Sequence, residues 1–406
     1  MHNIPSVIDI MNTLTFDTVH YDTEKIAKIS YSRKSQNSKK ENNPNYCILK
    51  YKSCEPDDAE VSLYRSLVLD ESCEKVLSVA PPNGLSVEKF REKYENIQDE
   101  NITISQIVEG TMINLFYDFD NEQWEIATRG AVGGDYWFHR VNYNSESTQL
   151  TFREMFLEAL GDDKDLNDSL YLTELPKDHC YSFVLQHPNN HIVYPVEKPT
   201  VYLVSVYKTN SDKTAQYIPA HDFMGWDVFK NVHSRVMFPL IVSNDNMSYD
   251  SLVTKDSSTG FMVVHDESGD RTALVNSEYE RLKCLRGNNP NIQYDYFERL
   301  HNGTLVDYLI SFPQYKSLFD MFEYQYKVFL DTIHNAYMSY YVLKQGKSVR
   351  IPKNIFTHIY KLHYDIYLKS DKHITITREV VSDYFTNMTP KEKMYHVNYV
   401  DTSVQE

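Results

Sequence analysis

The side chains of this 406-residue sequence that could do chemistry are isolated charged groups beside short apolar segments. Glu109 precedes Gly110, and Arg129 stands between Thr128 and Gly130. A guanidinium keeps its charge and presents a planar fork of donors, so Arg129 is a candidate contact for a phosphate or a ribose. A structural ion pair between Glu109 and Arg129 is the alternative explanation for both residues.

Other catalytic and metal-binding motifs are missing from the sequence. It has no Gly-x-Gly-x-x-Gly, Gly-Lys-Ser/Thr or Gly-x-Ser-x-Gly segment, so Rossmann, P-loop and hydrolase functions have no support. Histidines such as His187, His191 and His265 lack carboxylate or cysteine neighbours at ligand spacing. The five cysteines form neither a close pair nor a metal-spaced quartet. We therefore expect no metal site.

Composition limits the partners and the cellular setting. The chain has 41 Lys and Arg against 57 Asp and Glu, and the resulting charge of −16 repels phosphate backbones. Any contact with RNA or another nucleic acid must therefore use a local basic patch and must weaken with salt. No run approaches 18 apolar residues, so we expect no membrane contact. Free thiols without a signal peptide predict a cytoplasmic, intracellular protein.

Short strand-like runs position the charged residues. The runs 111–117 and 124–128 flank turn residues and predict a β-hairpin. Further strands are expected at 181–185, 192–194, 201–207 and 261–265, and a helix is expected at 151–160. These elements predict an α+β domain built on antiparallel sheet.

The pattern changes after Leu285. Apolar residues there recur at helical intervals, with Pro313 and Pro352 near the helix starts, where proline is tolerated. The stripe of aromatic residues in these helices is typical of a core. We therefore predict two domains, residues 1–288 and an all-helical C-terminal domain of residues 289–406.

Five short segments follow one another in an informative order. They are Ile107-Val108-Glu109-Gly110-Thr111, Thr128-Arg129-Gly130, the segment 183–193 with Pro188 and Asn190, Thr259-Gly260-Phe261-Met262-Val263, and the segment 271–279 ending in Tyr279. Together they resemble the motifs of the bacteriophage T4-type RNA ligase family, a branch of the nucleotidyltransferase superfamily found in phages and large DNA viruses. The resemblance covers about residues 45 to 390 and implies a nucleotidyltransferase domain followed by a helical domain.

The resemblance implies a chemistry that needs an amine and several charges. RNA ligases of this family form a lysine–AMP adduct from ATP, pass the adenylate to a 5′-phosphate and seal it with a 3′-hydroxyl. The first step requires a nucleophilic lysine. Cations must then hold the phosphate oxygens, and a divalent metal needs carboxylates.

The positions that carry these groups in the family are replaced here. The family's nucleophilic lysine corresponds to Ile107, its two acids to Val184 and Thr259, and its two phosphate-binding lysines to Ala273 and Val275. No lysine occurs between Lys93 and Lys164, so a register shift does not restore the nucleophile. Removing one electrostatic stabiliser typically lowers a rate by about 10²–10³, and losing the nucleophile removes the covalent route.

The glycines and two polar residues of the motifs survive. The resemblance implies that Glu109 could accept a hydrogen bond from an adenosine ribose or an RNA hydroxyl. It also implies that Arg271, Lys283 and Arg286 lie where a ligase approaches its substrate, so a small basic face is one interpretation. A solvated helix surface is the other.

Three functional hypotheses follow from these replacements. We favour a catalytically inactive RNA-ligase-like protein of a large DNA virus, which keeps the fold as a module for binding RNA or viral proteins and needs no cofactor. The alternative is an ATP- and Mg²⁺-dependent RNA ligase whose nucleophile is displaced to Lys89, Lys93 or Lys255. The third is a structural component of a virion or viral complex.

Overall fold

The fold is known from a computed structural model, which describes residues 13–32, 45–136, 150–161, 165–169, 172–230, 235–255, 257–345, 351–370 and 374–399. Within these residues the chain forms two compact units that divide between Cys284 and Leu285. The predicted boundary after residue 288 lies shortly beyond this division. No helix in the described ranges is long and apolar enough to cross a membrane.

The first unit contains short strands throughout. In chain order they are β1 (Thr13–Thr15), β2 (Ile26–Ser32), β3 (Asn45–Tyr51), β4 (Leu67–Asp70), β5 (Val76–Val79), β6 (Ile102–Gln106), β7 (Thr111–Asp118), β8 (Gln123–Ala127), β9 (His179–Gln186), β10 (Thr200–Thr209), β11 (Thr214–Ile218), β12 (Val236–Met237), β13 (Ile241–Val242), β14 (Gly260–His265) and β15 (Arg271–Val275). The predicted hairpin is β7 and β8, which pair in antiparallel register.

The strands form three sheets. The main sheet has the order β1-β11-β10-β9-β7-β8, a second sheet has the order β2-β3-β4-β5, and a third has the order β13-β6-β14-β15. The strand pairs of the described residues are antiparallel except for β12, which runs parallel to β10. The predicted fold class, α+β on antiparallel sheet, is therefore confirmed.

Alternation along the strands gives the main sheet two buried faces. Tyr181 and Phe183 of β9 belong to the core beneath the helix Phe152–Leu160, whereas Cys180 belongs to the core shared with the second sheet. Successive side chains of a strand point to opposite faces, so one apolar strand supplies both cores. A third core packs the third sheet against the helix Val87–Lys93.

In chain order the helices of the first unit are α1 (Ala59–Ser62), α2 (Val87–Lys93), α3 (Phe152–Leu160), α4 (Ala220–Phe223), α5 (Asp227–Lys230), α6 (Tyr249–Thr254) and α7 (Ser277–Arg286), of which the last two residues belong to the second unit. Helices α1, α2, α3 and α6 begin at residues whose side chains cap them. The predicted helix at 151–160 is α3, whose N-cap Thr151 forms a capping box with Glu154.

The second unit is helical in its described residues. Its helices are α8 (Ile292–Asn302), α9 (Leu305–Ser311), α10 (Lys316–Tyr337), α11 (Lys353–Lys361), α12 (Arg378–Thr386) and α13 (Pro390–Val397). Aromatic residues at helical spacing on α10 form its core, which confirms the predicted helical C-terminal region. Phe319 of α10, for example, packs against Tyr296 and Tyr308.

One predicted strand is wrong. Residues 192–194 form a bend instead of a strand. The backbone amides of Val193 and Tyr194 donate to Oε1 of Glu109, at 2.9 and 3.1 Å. A side-chain carboxylate therefore takes the place of a neighbouring strand as their hydrogen-bond partner.

Candidate functional site

A cleft of about 420 Å³ in the first unit is lined by the main sheet and the third sheet. Strand alternation selects the side chains that line it. On β9, Phe183 packs into the core and Val184 lines the cleft. On β15, Leu274 packs into the core, whereas Ala273 and Val275 line the cleft.

The replaced motif positions meet at this cleft. Ile107, Val184, Ala273 and Val275 all line it. Thr259 joins them indirectly, because its Oγ1 donates to the carbonyl oxygen of Ile107 at 2.6 Å. The cleft therefore presents apolar side chains at positions where the resemblance implies a nucleophilic lysine and phosphate-binding lysines.

These residues do not fit the groups that the resemblance implies. Aliphatic side chains at Ile107, Val184 and Val275 offer neither an amine to form an adduct nor an oxygen to hold Mg²⁺. Within the described ranges, no group of three His, Cys, Asp or Glu side chains is arranged to hold a metal ion. The lining therefore supports no reaction step through a metal or an adenylate.

Two guanidinium groups line the same cleft. Arg271 donates from Nη2 to the hydroxyl of Tyr207 at 3.3 Å, and its Nε is buried without a hydrogen-bond partner. Arg65 donates from Nη1 to the carbonyl oxygen of Pro81 at 3.5 Å, which is a long contact. Neither arginine forms an ion pair with a described residue, so both keep donor capacity for an anion.

Arg65 connects the cleft to a second cavity. This cavity, of about 320 Å³, is lined by Arg65 together with Thr128, Arg129 and Gly130. Burial lowers the pKa of Arg65, and the positive charges of Arg271 and Arg129 lower it further. The positive charges of Arg271 and Arg129 thus act on Arg65, and a bound anion would stabilise its charged form.

Arg129 and Glu109 do not form the ion pair considered from the sequence. Arg129 donates from Nη2 to the carbonyl oxygen of Tyr51 at 3.0 Å and lies over the ring of Tyr51, 4.4 Å from its centroid. Glu109 is buried, and its Oε1 accepts from the two backbone amides of residues 193 and 194. Glu109 thus supports the fold, whereas Arg129 remains exposed at the second cavity.

Two buried carboxylates add acceptors to the cleft lining. The Oε2 of Glu109 and the Oδ1 of Asp266 are buried without a hydrogen-bond partner. Burial raises the pKa of Asp266, although a hydrogen bond from Thr103 at 2.6 Å opposes the shift. Burial and the nearby Glu109 also raise the pKa of Tyr279, which stacks on Tyr194 with ring centroids 5.9 Å apart.

The lysines considered as displaced nucleophiles are not among the residues that line the cleft. Lys93 pairs with Asp270 at 2.6 Å, and neither Lys89 nor Lys255 lines the cleft. Lys283, a predicted substrate contact, lies in the cleft lining. It lies one helical turn after Tyr279 on α7.

Arg286 is not part of a basic face, which corrects the prediction from the sequence. Its side chain is buried in the second unit, donates to the hydroxyl of Tyr315 at 2.9 Å and stacks on that ring. Asp295 lies 4.0 Å away and supplies a negative charge. Burial with these partners makes Arg286 a structural residue.

Sequence reasoning missed Arg65. It precedes β4, where an isolated arginine before an apolar strand belongs to no short motif. Arg65 could have been recognised as a charged side chain two residues before a strand whose residues 67–69 are buried.

One sequence comparison agrees with the motif resemblance. No family model matches the sequence. An RNA ligase of Rhodothermus phage RM378 is 29% identical over 106 residues, which are 26% of this chain, and the chain spans 23% of the length of that relative.

Solved structures of RNA ligases are also similar to this chain. An RNA ligase of Naegleria gruberi with ATP and manganese has a TM-score of 0.36 and 11% identity, covering 52% of this chain and 60% of that chain. An archaeal ATP-dependent RNA ligase has a TM-score of 0.36 and 9% identity, covering 71% of this chain and 68% of that chain. The phage relative confirms, over 106 residues, the resemblance to RNA ligases predicted from the motifs. The described residues form an α+β unit of antiparallel sheets followed by a helical unit.

Proposed function

We propose that this chain is a catalytically inactive RNA-ligase-like protein whose first unit binds RNA through phosphate contacts. The observation that carries the proposal is the lining of the cleft. Apolar side chains stand at Ile107, Val184, Ala273 and Val275, while Arg65 supplies a positive charge. Arginine stays protonated at any ordinary pH, so it can hold a phosphate but cannot act as the nucleophile.

The phosphate contacts are assigned to the guanidiniums of Arg65, Arg129 and Arg271. Arg65 and Arg271 line the cleft, and Arg65 and Arg129 line the adjoining cavity. Because Arg65 is shared, the three residues offer one continuous set of hydrogen-bond donors. An arginine binds phosphate through paired N–H groups without needing a metal. The expected viral origin and viral protein partners remain predictions that accompany this proposal.

The first experiment tests inactivity. The full chain is incubated with ATP labelled at the α-phosphate, with Mg²⁺ or Mn²⁺, and separated on a denaturing gel. We expect no protein-bound label. Ile107→Lys is expected to give none either, because Val184, Ala273 and Val275 still lack the charges that the reaction needs.

A second candidate function rests on Lys283. Lys283 lines the cleft, so it is a candidate nucleophile for an ATP-dependent ligase whose lysine is displaced from the usual motif position. A labelled adduct that disappears in Lys283→Arg, but persists in the matched variant Lys255→Arg outside the cleft, would establish this candidate and overturn the proposed inactivity.

The second experiment tests RNA binding. A gel shift at low salt should weaken at least about 10-fold in Arg65→Ala or Arg271→Ala, because a hydrogen bond to a charged group contributes about 1.5–3 kcal/mol. Arg91→Ala is the matched control, since Arg91 is an exposed arginine of the same unit that pairs with Asp250. Equal weakening by the control would contradict the assignment.

A further inference from the structure

Two helices of the second unit each continue into a π-helical turn. Helix α10 runs into Met338–Val342, and α11 runs into Leu362–Tyr367. The π-helix is rare, and such turns are frequent at functional sites because they redirect side chains. In this unit both π-helical turns carry aromatic residues, so this region is a candidate functional surface.

The π-helical turns bring several rings together. The imidazole of His363 stacks on Tyr341, with centroids 3.8 Å apart and planes at 13°, and on Tyr367 at 5.3 Å and 17°. Tyr360 and Tyr364 lie beside this stack with centroids 4.3 Å apart. We use the name aromatic face for Tyr340, Tyr341, Tyr360, His363, Tyr364 and Tyr367.

The aromatic face is open to solvent. Tyr360 is 48% exposed and Tyr364 is 42% exposed, whereas the neighbouring core residue Tyr337 is 4% exposed. Rings that only fill a core are buried, because burial removes their large apolar surface from water. Two exposed tyrosines beside a preformed stack therefore offer a platform for another flat ring.

The sequence around the aromatic face is basic in an acidic protein. Residues 338–372 contain seven Lys and Arg against two Asp, whereas the whole chain carries −16. Lys344, Lys353 and Lys361 are exposed and form no ion pair within the described part of the chain. Lys369 pairs with Asp365 at 2.6 Å. Positive charge beside exposed rings matches a ligand with both flat groups and negative charges.

We propose that the aromatic face binds single-stranded nucleic acid. Unpaired bases stack on Tyr360 and Tyr364, and the lysines Lys344, Lys353 and Lys361 contact the phosphates. Base stacking on aromatic side chains tolerates any sequence, since every base has a flat face. This site belongs to the second unit and does not depend on the cleft of the first unit, so it adds to the function proposed above.

The experiment measures fluorescence anisotropy of labelled oligo(U) and oligo(dT), each about 12 nucleotides long, with the full chain. We expect the double variant Tyr360→Ala and Tyr364→Ala to weaken binding at least about 10-fold, because stacking contributes about 1–3 kcal/mol per base. The double Phe variant keeps both rings and should bind within about 3-fold of the natural chain. Thermal unfolding of each variant confirms that it is folded.

Matched controls come from the same unit. Tyr324 and Tyr395 are 68% and 58% exposed and lie outside the aromatic face, so their Ala variants should leave binding unchanged. Lys361→Gln should reduce the dependence of affinity on salt, whereas Lys327→Gln, which removes a lysine paired with Glu323, should not. The anisotropy series is repeated in the Arg65→Ala background, which weakens the proposed phosphate contacts of the cleft, so a loss caused there by the Tyr360 and Tyr364 substitutions belongs to the aromatic face.

Several outcomes would overturn the inference. Equal losses in the Ala and Phe variants would show that the rings do not stack on bases. Tighter binding of a duplex of the same length, or binding only of vesicles with anionic lipid or of an acidic peptide, would assign the face to another partner. A preference for oligo(U) would assign the site to RNA, and a preference for oligo(dT) would assign it to DNA; both results support the inference.

Discussion

The two units of the molecule differ in charge and in the surface that they offer. Residues 1–284 contain 27 Lys and Arg against 44 Asp and Glu, a net charge of −17, whereas residues 285–406 contain 14 against 13, a net charge of +1. The first unit has an apolar cleft with guanidiniums, and the second unit has exposed rings beside lysines. A chain whose total charge repels phosphate can therefore still offer local sites for it.

The first unit also shows that fold and chemistry depend on different residues. The glycines of the ligase-like motifs remain, while Ile107, Val184, Thr259, Ala273 and Val275 stand where the resemblance implies charged residues. Gly260 has φ +109, and a Cβ there would collide with the carbonyl oxygen of Leu274. The strand geometry requires this glycine, whereas it places no such demand on the side chain at Ala273.

The largest expected effect tests this separation. Gly260→Ala should lower the free energy of unfolding of the first unit by about 4–5 kcal/mol, because the backbone must move. Gly130→Ala is the control and should cost less than about 1 kcal/mol, since its Cβ would meet only the flexible end of Lys50. Tryptophan fluorescence during urea unfolding reports on this unit, because all three tryptophans lie before residue 285. Equal costs at the two glycines would contradict the separation.

A buried ion pair should give the next largest effect. Nη1 of Arg153 lies 2.8 Å from Oε1 of Glu125, and both side chains are almost fully buried. Arg153→Ala should lower the free energy of unfolding of the first unit by about 3–5 kcal/mol, because the carboxylate of Glu125 loses its charged partner. Arg91→Ala breaks an exposed pair and should cost less than about 1 kcal/mol. The same urea titration measures both, and similar costs would refute the role assigned to burial.

The second unit should respond to acid through His358. Burial, with the nearby His396 and Lys361, lowers the pKa of His358 to about 4, from an ordinary value of 6.5. The unfolded state therefore binds the proton more tightly than the folded state. The free energy of unfolding should thus decrease as the pH falls from 6.5 towards 4. The loss should reach no more than about 3 kcal/mol. In the first unit, burial raises the pKa of Asp266, which favours the opposite trend.

Hydrogen exchange resolves this pH effect by region. Amides of α11 and α12 should exchange faster at pH 5 than at pH 7 after correction for intrinsic rates, because His358 contacts the Tyr384 hydroxyl at 3.1 Å and His396 at 3.3 Å. His358→Gln should flatten this dependence. An unchanged dependence in His358→Gln would rule out His358 as its source.

Much of the fold could be predicted from the sequence because apolar periodicity reports burial directly. The hairpin of β7 and β8 and the helix α10 follow from that periodicity. The structure places Val184 and Ala273, two of the replaced motif positions, in the lining of one cleft.

The errors arose where the deciding contact is distant in sequence. Residues 192–194 bend because Glu109 takes their amides. Arg286 is buried because Tyr315 and Asp295 surround it. Arg65 was missed because its place beside Arg271 appears only when the sheets are assembled. Periodicity within one segment carries no information about such partners.

The alternation along β15 has a consequence for protein engineering. Thr272 and Leu274 are buried and anchor the strand, while Ala273 and Val275 point the other way. A combinatorial library restricted to the outward set, together with Ile107 and Val184, would vary the lining without disturbing the hydrophobic interior. The molecule is therefore a scaffold for laboratory evolution, either of artificial end-joining activity or of selective binding of a chosen small compound.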